Sequence, residues 1–530
     1  MNTELIDRLR DDLTAARYRV DALDALWGGA ASAALFRGRM LPAVRALARR
    51  RATGAMVTPV ETLGALFVLG ETVSRHELDA ALPALGSLGA EELGLVGPED
   101  DGLRARLDLR PYSFVDGQGA GSWWILSDLG ETALGRALDE DHVLGVGGAS
   151  NTLSGLMITE PADSVLDLGT GCGIQAMHAT RFARRVVATD ISRRALAMAA
   201  LNARLNGIDS IEFRHGSLFE PVAGERFDRI VSNPPFVITP RVEGVPQYEY
   251  RDGGLVGDAL VESVVRQASE HLTPGGIAQL LGNWEYRVAG DAVHGGLDRV
   301  RGWVESGAGA GGSGVPGVPG APGVLDAWVI ERERQDAPTY AETWIRDGGT
   351  RPGSPEFEAL YAAWLDDFER RGVTEVGFGY ILLRRPAGDG PRVPLARYEH
   401  VHSALGDNPV GLGDHLAASL AGHDWQAARD DAELERALLL HAPDVTEERH
   451  YWPGHDDPVV MTLRQGGGLG RSVPLDTGLA AFVGACDGDL SAGAIIAAIA
   501  QVLEVDEAAL RAELVPRIRS LLDDGFLLPA

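Results

Sequence analysis

The sequence predicts an α/β protein whose central part folds as a parallel, doubly wound sheet, with an accessory domain on each side. Strand-like and helix-like segments alternate between residues 163 and 386, which is the order that produces parallel βαβ units. A glycine-rich turn, DLGTGCG, joins the first of these strands to its helix. A chain of 530 residues is also longer than one ordinary domain core requires. We therefore predict three domains.

Residues 1–150 are predicted to form an N-terminal helical, winged-helix-like domain. In ALFRGRMLPAVRALARRR, apolar residues recur at helical spacing with arginines between them. The stretch TPVETLGALFVLGETVSRHELDAALPALGSLGAEELGLV has the pattern of short helices, and the strand-like LRARLDLRPYSF and SWWILSDLG follow it. Helices followed by a β-ribbon are the order expected of a winged helix.

Residues 151–386 carry the alternating pattern. The predicted strands are SVLDLG, RVVATD, IEFRHGSLF, FDRIVSNPPF, GGIAQLLGNW, LDAWVIERE and VTEVGFGYILLRR. The helical patterns IQAMHATRFA, SRRALAMAALNARLNG and DALVESVVRQASEHL lie between them. Two interruptions are expected: a flexible Gly/Pro-rich loop at 307–323 and a helical insert at 338–372.

Residues 387–530 are predicted to form an acidic C-terminal accessory domain, either α/β or winged-helix-like. The segment PAGDGPRVP marks its beginning. Its last part, DGDLSAGAIIAAIAQVLEVDEAALRAELVPRIRSLLDDGFLLP, has the pattern of a small helical or winged-helix unit. It contains no motif that suggests chemistry.

The charge of the chain bears on its partners. The formal net charge is −28, from 48 basic and 76 acidic residues, and each of the three predicted domains is net negative. Bulk acidity disfavours nonspecific binding of nucleic acid. The exception is the Arg37–Arg51 stretch, which contains six arginines and no acid. It is predicted to be a solvated helix face, with a patch for an anionic partner as the alternative.

Cysteine usage and hydropathy exclude other classes. Cys172 and Cys486 are the only cysteines, and neither belongs to a metal-ligand spacing, so we expect no disulfide framework and no metal ion. The polar beginning, MNTELIDRLRDD, does not have the pattern of a signal peptide. Because no apolar run is long enough to span a membrane, the expected location is the cytoplasm.

Two features predict a nucleotide-containing cofactor at the start of the central domain. In DLGTGCG (167–173), glycines at alternate positions permit a tight turn and expose backbone amides at the start of a helix. The spacing is GxGxG rather than the GxGxxG of dinucleotide sites. Asp190 ends the second strand, where its carboxylate can accept both hydroxyls of a ribose. The alternative for Asp190 is a cap on the next helix, a role that Ser192 can also perform.

Together these residues resemble the class I S-adenosylmethionine-dependent methyltransferases over about residues 150–386. The resemblance implies a Rossmann-like sheet of seven strands, the last of them antiparallel, and S-adenosyl-L-methionine as cofactor. It also implies which residues bind that cofactor. At the methionine end these are Asp167, Gly169, Thr170, Gly171, Cys172 and Gly173. Ser217 and Leu218 would border the adenine, and Cys172 is expected to be a small loop residue rather than a reactive thiol.

The segment IVSNPPF, at the end of the fourth predicted strand, supplies the second half of a methyl-transfer site. Asn233, Pro234, Pro235 and Phe236 resemble the NPP[FYW] loop of methyltransferases that modify planar nitrogens. Asn233 Oδ1 and the Pro234 carbonyl can accept the two N–H groups of such a nitrogen, and Phe236 can lie against the planar group. Pro234 and Pro235 end the strand and hold the loop rigid. The rate enhancement would come from alignment and preorganised dipoles.

The identity of the acceptor stays open between two nitrogens. NPPFVITP and the following YRDGGLVGDALVESVV resemble the release-factor glutamine methyltransferases, and the whole chain is similar to an actinobacterial family of three-domain methyltransferases. The resemblance favours a glutamine side-chain amide, in a translation factor or ribosomal protein, as the acceptor. The alternative is the amino group of a base in rRNA, tRNA or DNA, with the Arg37–Arg51 stretch as the anchor. A third hypothesis is a non-catalytic binding module, which the intact cofactor and acceptor motifs disfavour.

Overall fold

The structure is a computed structural model. It describes residues 2–130, 139, 141–242, 244–246, 249–289, 292–307, 325–388 and 393–530. From residue 308 onward, the predicted Gly/Pro-rich loop at 307–323 lies outside the described residues. Within the described ranges, no helix is long and apolar enough to cross a membrane.

The N-terminal part begins with short helices. They span Thr3–Ala15, Val20–Trp27, Gly29–Phe36, Leu41–Ala52, Pro59–Leu63 with a π-helical continuation at Gly64–Val68, Arg75–Ala81 and Gly86–Glu92. The sequence accounts for several of these directly. Ile6, Leu9 and Leu13 form the buried face of the first helix at helical spacing. Ser74 and Glu77 form a reciprocal capping box that begins the sixth.

Two antiparallel hairpins follow these helices. They are formed by β1 (Val96–Glu99) with β2 (Gly102–Ala105) and by β3 (Leu107–Asp116) with β4 (Gly119–Asp128). A bridge between Val73 and Leu103 adds a third strand position to the first hairpin. Three short helices followed by a hairpin over residues 59–105 agree with the predicted winged-helix-like character of this part.

The central sheet has nine strands in the part of the chain that the structure describes. They are β5 (Ala162–Leu168), β6 (Ala183–Asp190), β7 (Ile211–His215), β8 (Phe227–Ser232), β9 (Leu272–Ala289), β10 (Ala292–His294), β11 (Asp326–Asp336), β12 (Val373–Arg384) and β13 (Ala396–His400). Their order is β13-β11-β12-β9-β8-β5-β6-β7, and β10 pairs with β9. Strand β12 is antiparallel to both its neighbours, as the resemblance implies. The sheet exceeds the seven expected strands by β10 and β13, and β13 lies beyond the predicted domain boundary at residue 386.

Helices cover both faces of this sheet and continue into the C-terminal part. In and around the sheet they span Gly148–Leu156, Ile174–Ala179, Arg193–Leu205, Glu249–Asp252, Ala259–His271 and Gly296–Gly307, with a 3₁₀ turn at Glu220–Val222. The predicted insert consists of two helices between β11 and β12, Ala337–Asp347 and Pro355–Arg371. Ser354 caps the second of these, and Gly372, in the left-handed conformation, ends it.

The C-terminal part has its own core and two three-stranded sheets. Its helices are Gly413–Ala427, Asp431–Arg436, Thr477–Gly484, Ala492–Leu503 and Glu507–Asp523. Its strands are β14 (Leu438–His441), β15 (Val445–Tyr451), β16 (Pro458–Gln465), β17 (Ser472–Leu475), β18 (Asp487–Ser491) and β19 (Leu527–Pro529), in the orders β18-β14-β19 and β15-β16-β17. This mixture of helices and strands agrees with the α/β alternative of the prediction.

The N-terminal part is joined to the central domain through two asparagine side chains. Asn202 accepts a hydrogen bond from Leu126 N at 2.7 Å and donates to Leu126 O at 2.9 Å. One turn later, Asn206 makes the same pair of bonds to Trp124 N and Trp124 O, at 2.9 and 2.8 Å. Each side-chain amide thus pairs with both the N–H and the C=O of one residue of β4, as a residue of a neighbouring strand would. These bonds fix β4 against the helix Arg193–Leu205, which borders the cofactor loop.

Candidate functional site

The cofactor loop and the acceptor loop lie at the same edge of the sheet. Strands β5 and β8 are parallel neighbours, with Leu168 paired to Ser232 at their carboxyl ends. Ser232 Oγ donates a hydrogen bond to Leu168 O at 2.7 Å. The carboxyl ends of parallel strands are where ligands bind in open α/β sheets. DLGTGCG and NPPF, predicted separately from the sequence, therefore lie at the same edge of the sheet, where a ligand would bind.

The glycines of the cofactor loop adopt a backbone that other residues rarely adopt. Gly169, Gly171 and Gly173 have φ values of 75°, 54° and 91°. A Cβ at Gly173 would lie 2.9 Å from Ala199 Cβ. Glycine is therefore required at this position for the loop to pack against the helix Arg193–Leu205. A Cβ at Gly169 or Gly171 would meet no atom within 4 Å and would project into open space. The loop thus leaves room for a ligand directly against its backbone.

Asp167 and Thr170 hold the loop together from within. Both are buried, and Thr170 Oγ1 donates to Asp167 Oδ2 at 2.5 Å. The same oxygen accepts a hydrogen bond from Ala176 N at 3.0 Å, which fixes the first turn of the helix Ile174–Ala179. Burial raises the pKa of the Asp167 carboxyl to about 7. A positively charged group bound beside Asp167 would oppose this effect.

Asp190 connects the second strand to the loop. Its Oδ2 accepts a hydrogen bond from Gly171 N at 2.9 Å, and its Oδ1 accepts one from Ser192 N at 2.8 Å. Ser192 is the residue that caps the following helix, since its hydroxyl accepts from Ala195 N at 3.4 Å. The helix therefore does not need Asp190 as its cap. Burial raises the pKa of the Asp190 carboxyl, and each oxygen keeps a lone pair for a further donor.

Ser217 and Leu218 follow β7 in a turn next to Asp190. Gly216 N donates to Asp190 O at 3.1 Å, which joins this turn to the end of β6. Leu218 has a φ of 47°, which is uncommon for a residue other than glycine. Its side chain packs against the apolar core beneath the sheet. Backbone strain of this kind clusters at functional sites, and the contact of Ser217 and Leu218 with an adenine stays a prediction.

Cys172 has the structural role that the sequence suggested. Its side chain is buried, and burial raises the pKa of the thiol to about 11, so it is protonated at neutral pH and a poor nucleophile. Its carbonyl accepts a hydrogen bond from Asn202 Nδ2 at 2.9 Å. Asn202 thus joins the cofactor loop to β4. Sequence reasoning missed this residue, because a polar residue within a helical pattern suggests a solvated face.

The acceptor loop presents an unpaired hydrogen-bond acceptor. Asn233 Oδ1 is buried and has no hydrogen-bond partner among the described residues. Pro234 is also buried, and no described backbone N–H donates to its carbonyl. Buried polar atoms are paired in the great majority of cases, because an unpaired one costs roughly 1–3 kcal/mol. Asn233 Oδ1 and Pro234 O are thus adjacent acceptors without a described donor, and a ligand that donates two hydrogen bonds would pair with both.

Pro235 and Phe236 pack against the elements around the loop. The Phe236 ring lies 5.4 Å from that of Phe378 on β12, with their planes tilted by 47°, and it remains only partly buried. If Gly253 carried a Cβ atom, that atom would lie 3.0 Å from the carbonyl oxygen of Pro235. A side chain larger than hydrogen at Gly253 would therefore press on the acceptor loop.

The segment after the acceptor loop is folded back onto it. Thr239 Oγ1 donates to Asp252 Oδ1 at 2.5 Å, and Val237 N donates to Arg251 O at 3.0 Å. These bonds join VITP directly to YRDGG. The RDGG segment therefore acts on the site through the acceptor loop.

The helical insert supplies a further support that the sequence did not reveal. Tyr340, fully buried on the helix Ala337–Asp347, accepts hydrogen bonds at its hydroxyl from Ile238 N at 3.1 Å and from Asn283 Nδ2 at 2.6 Å. Trp364 and Phe368, on the second helix of the insert, are buried in a hydrophobic cluster. Tyr340 also packs in this cluster, but its hydroxyl fixes the acceptor loop to β9.

We predict that Tyr340→Phe lowers both stability and turnover. The substitution removes one oxygen and leaves two buried donors without an acceptor, which should reduce the free energy of unfolding by about 1–3 kcal/mol. Thermal unfolding and steady-state kinetics measure the two effects. Tyr361→Phe, on the second helix of the insert, is the matched control, because the Tyr361 side chain lies nearer the surface. Equal behaviour of the two variants would contradict a positioning role for Tyr340.

Comparison with known proteins identifies the central domain. A family model described as "Methyltransferase small domain" matches residues 145–290. Two further models, each described as a domain of unknown function, match residues 15–106 and 417–529. The first match confirms the resemblance to class I S-adenosylmethionine-dependent methyltransferases for the part of the chain that carries both loops.

Curated relatives point to the same class. A ribosomal protein uL3 glutamine methyltransferase of Bradyrhizobium diazoefficiens is 37% identical over 155 residues, which is 27% of this chain and 46% of the relative. Release factor glutamine methyltransferases of Xylella fastidiosa and Geobacter sulfurreducens are 39% and 40% identical, covering 24% and 22% of this chain and 48% and 43% of their own lengths. The chain thus spans about half the length of these relatives.

Proposed function

We propose that this protein transfers a methyl group from S-adenosylmethionine to the side-chain amide nitrogen of a glutamine in a protein. The observation that carries the proposal is the buried, unpaired Oδ1 of Asn233 at the end of β8, beside the glycine-rich loop. It is supported by the Pro234 carbonyl, which is also free of described backbone donors. A primary amide offers two N–H donors on one nitrogen, which is the number that these acceptors require.

The residues of the cofactor loop fit S-adenosylmethionine in shape and in donor set. The open space at Gly169 and Gly171 accommodates a ligand against the backbone, and the two oxygens of Asp190 match two ribose hydroxyls. Asp167 offers a carboxylate to the positively charged methionine end, and the turn at Ser217 and Leu218 lies where the adenine is expected. When bound, the cofactor supplies an electrophilic methyl group on a sulfonium sulfur.

The binding of the cofactor should depend on pH through Asp167. Because burial raises the pKa of this carboxyl to about 7, it is largely protonated at lower pH and cannot pair with a cationic amine. We expect cofactor affinity to rise as pH increases from about 6 to about 8, as the carboxylate ionises. Titration calorimetry across this range measures it. In Asp167→Asn, which keeps an acceptor for Thr170 and Ala176, the increase should be flattened; an equally steep increase would contradict the assignment.

The acceptor loop would act by orientation rather than by covalent chemistry. An amide nitrogen is a weak nucleophile because its lone pair is delocalised over the carbonyl. Hydrogen bonds from its N–H groups to Asn233 Oδ1 and Pro234 O would fix its direction and favour electron density on nitrogen. The two prolines prevent the loop from relaxing away, and the exposed part of Phe236 would lie against the amide plane. Preorganised dipoles and alignment are thus the sources of rate enhancement.

A protein is the favoured acceptor for two reasons. The similar curated proteins are named glutamine methyltransferases of ribosomal protein uL3 and of release factors. The chain itself is strongly acidic, with a net charge of −28, and so repels nucleic acid outside any local patch. A translation factor or ribosomal protein with an exposed glutamine is the expected class of substrate.

One observation favours a base amino group as the second candidate. Of the six arginines between Arg37 and Arg51, four are exposed and form no ion pair with any described residue: Arg37, Arg39, Arg45 and Arg49. Arg50 and Arg51 instead pair with Glu61, which is buried, at 3.0 and 3.1 Å. Two of the six arginines are therefore structural, and four are available to an anionic partner.

Incubation with methyl-labelled cofactor and a cell lysate distinguishes the candidates. The purified protein should transfer label to material that protease degrades and nuclease does not. Asn233→Ala, under the same conditions, provides the background. Label that nuclease removes would overturn the glutamine assignment in favour of a base amino group.

A further inference from the structure

Glu331, His400 and His402 form a cluster near the β13 edge of the sheet: Glu331 lies on β11, His400 ends β13, and His402 follows it. One oxygen, Glu331 Oε1, lies 2.8 Å from His400 Nδ1 and 3.3 Å from His402 Nε2. All three candidate ligand atoms lie within 4.8 Å of one another. Two ligand atoms of a tetrahedral zinc ion are separated by roughly 3.3 Å, given metal–ligand distances of about 2.0–2.1 Å. The spacing is therefore close to that of a metal site.

We propose that Glu331, His400 and His402 bind a divalent transition-metal ion of the zinc class. Two imidazoles and one carboxylate are a common protein ligand set for such ions. The histidine side chains are 50% and 46% exposed, so an ion can enter from solvent and a fourth position stays open to water. Cysteine-based motifs are absent, which is why the sequence alone suggested no metal ion. His400 and His402 follow Glu331 by 69 and 71 residues in the chain. The pairing of β11 with β13 brings them next to it.

The Glu331 carboxylate is held in place by hydrogen bonds to one of its two oxygens, as the ligating carboxylates of metal sites are. Glu331 is completely buried, and its other oxygen, Oε2, accepts hydrogen bonds from Trp284 Nε1 at 2.8 Å and from Tyr286 Oη at 2.6 Å. Outer partners of this kind orient a ligand and are a regular feature of metal sites. With Oε2 satisfied, Oε1 is left facing the two imidazoles.

The surrounding strands are adapted to this cluster. A Cβ at Gly377 on β12 would lie 2.4 Å from Glu331 Oε2 and 2.3 Å from Trp284 Nε1, so only glycine leaves room for the buried acid. The register of β11 shifts between Glu331 and Glu333, and such irregularities redirect side chains. Arg332 donates to the carbonyls of Val401 and Ser403, which fixes the backbone on both sides of His402.

In the metal-free protein the imidazoles donate to Glu331 Oε1, and binding would replace these donated hydrogen bonds with bonds to the ion. Each neutral imidazole can carry its proton on the other ring nitrogen instead, so the exchange needs no further acid or base. The bound ion would connect the segment leading into the C-terminal part to the edge of the central sheet. The site is separate in sequence from both loops of the proposed methyl-transfer site.

Metal titration of the chelator-treated, full-length protein tests the proposal. We expect one Zn²⁺ per chain by equilibrium dialysis, and visible absorption bands from Co²⁺ bound in its place. His400→Ala and His402→Ala should each weaken binding at least about tenfold and abolish the bands. His450→Ala, an exposed histidine on β15, is the matched control and should bind as the parent does.

A second measurement guards against misfolded variants. Zn²⁺ should raise the thermal unfolding midpoint of the parent protein and of His450→Ala, because a ligand of the folded state stabilises it, but not those of the other two variants. The absence of stoichiometric binding to the parent protein would overturn the proposal. Binding that survives unchanged in both His400→Ala and His402→Ala would also overturn it.

Discussion

Asn233→Ala should reduce the rate of methyl transfer by about 100- to 1000-fold, the range seen when a preorganised polar group is removed from an active site. Asn233 Oδ1 is the buried acceptor proposed to orient the substrate nitrogen, and alanine removes it. Cofactor affinity should be unchanged, since none of the hydrogen bonds within the cofactor loop involves Asn233. Single-turnover kinetics with labelled cofactor and calorimetric titration of the cofactor measure the two quantities.

The stability of this variant is informative as well. Because Asn233 Oδ1 has no partner in the described structure, its removal relieves an unpaired buried group rather than breaking a bond. We expect a thermal midpoint at or above that of the parent protein. Asn233→Gln is the matched variant, since it keeps the amide but displaces it by one methylene, and it should be similarly inactive. Turnover by Asn233→Ala at the parental rate would exclude the proposed role.

Asp190→Ala should weaken cofactor binding by about 100-fold, because two charge-assisted hydrogen bonds to the ribose are lost. The carboxylate also holds Gly171 N and Ser192 N, so its removal loosens the glycine-rich loop. Affinity measured by calorimetry should fall, whereas the acceptor loop, which makes no contact through Asp190, should keep its hydrogen bonds.

The control for this variant is Asp209→Ala, which removes an exposed acid after the same helix. It pairs with Arg204 at 3.4 Å at the surface, where such pairs contribute little. We expect parental affinity in Asp209→Ala. If Asp190→Ala bound the cofactor as tightly as Asp209→Ala does, the assignment of Asp190 to the ribose would be wrong.

The sequence predicted the site where local chemistry required particular residues. Glycine is the residue that most readily adopts the backbone of Gly169 and Gly171, and two prolines end a strand, so both loops were visible as motifs. The position of Asp190 at the end of β6 was predictable because strand ends can be located in a βαβ pattern. The central strands were predictable because parallel strands of a doubly wound sheet are nearly continuous apolar runs.

Residues that act through tertiary contacts were not predictable in this way. Asn202 has an ordinary helical position, and only the approach of β4 shows that its amide connects two domains. Tyr340 resembled core packing, and its hydroxyl gained a role because the insert folds over the acceptor loop. Glu331 lies within an otherwise strand-like run, and the histidines that face it come from a strand beyond the predicted domain boundary. In each case the partner is distant in sequence, which no local pattern encodes.

Peptide mass spectrometry of an acceptor protein after reaction tests the central claim most directly. The acceptor protein identified by its label would be purified from lysate that had not been treated with the enzyme, reacted with the parent enzyme or with Asn233→Ala, digested and fragmented. We predict a single methyl group on a glutamine side-chain amide after treatment with the parent enzyme and none after treatment with the variant. Methylation at a residue without a planar amide nitrogen, or equal methylation by both proteins, would contradict the account.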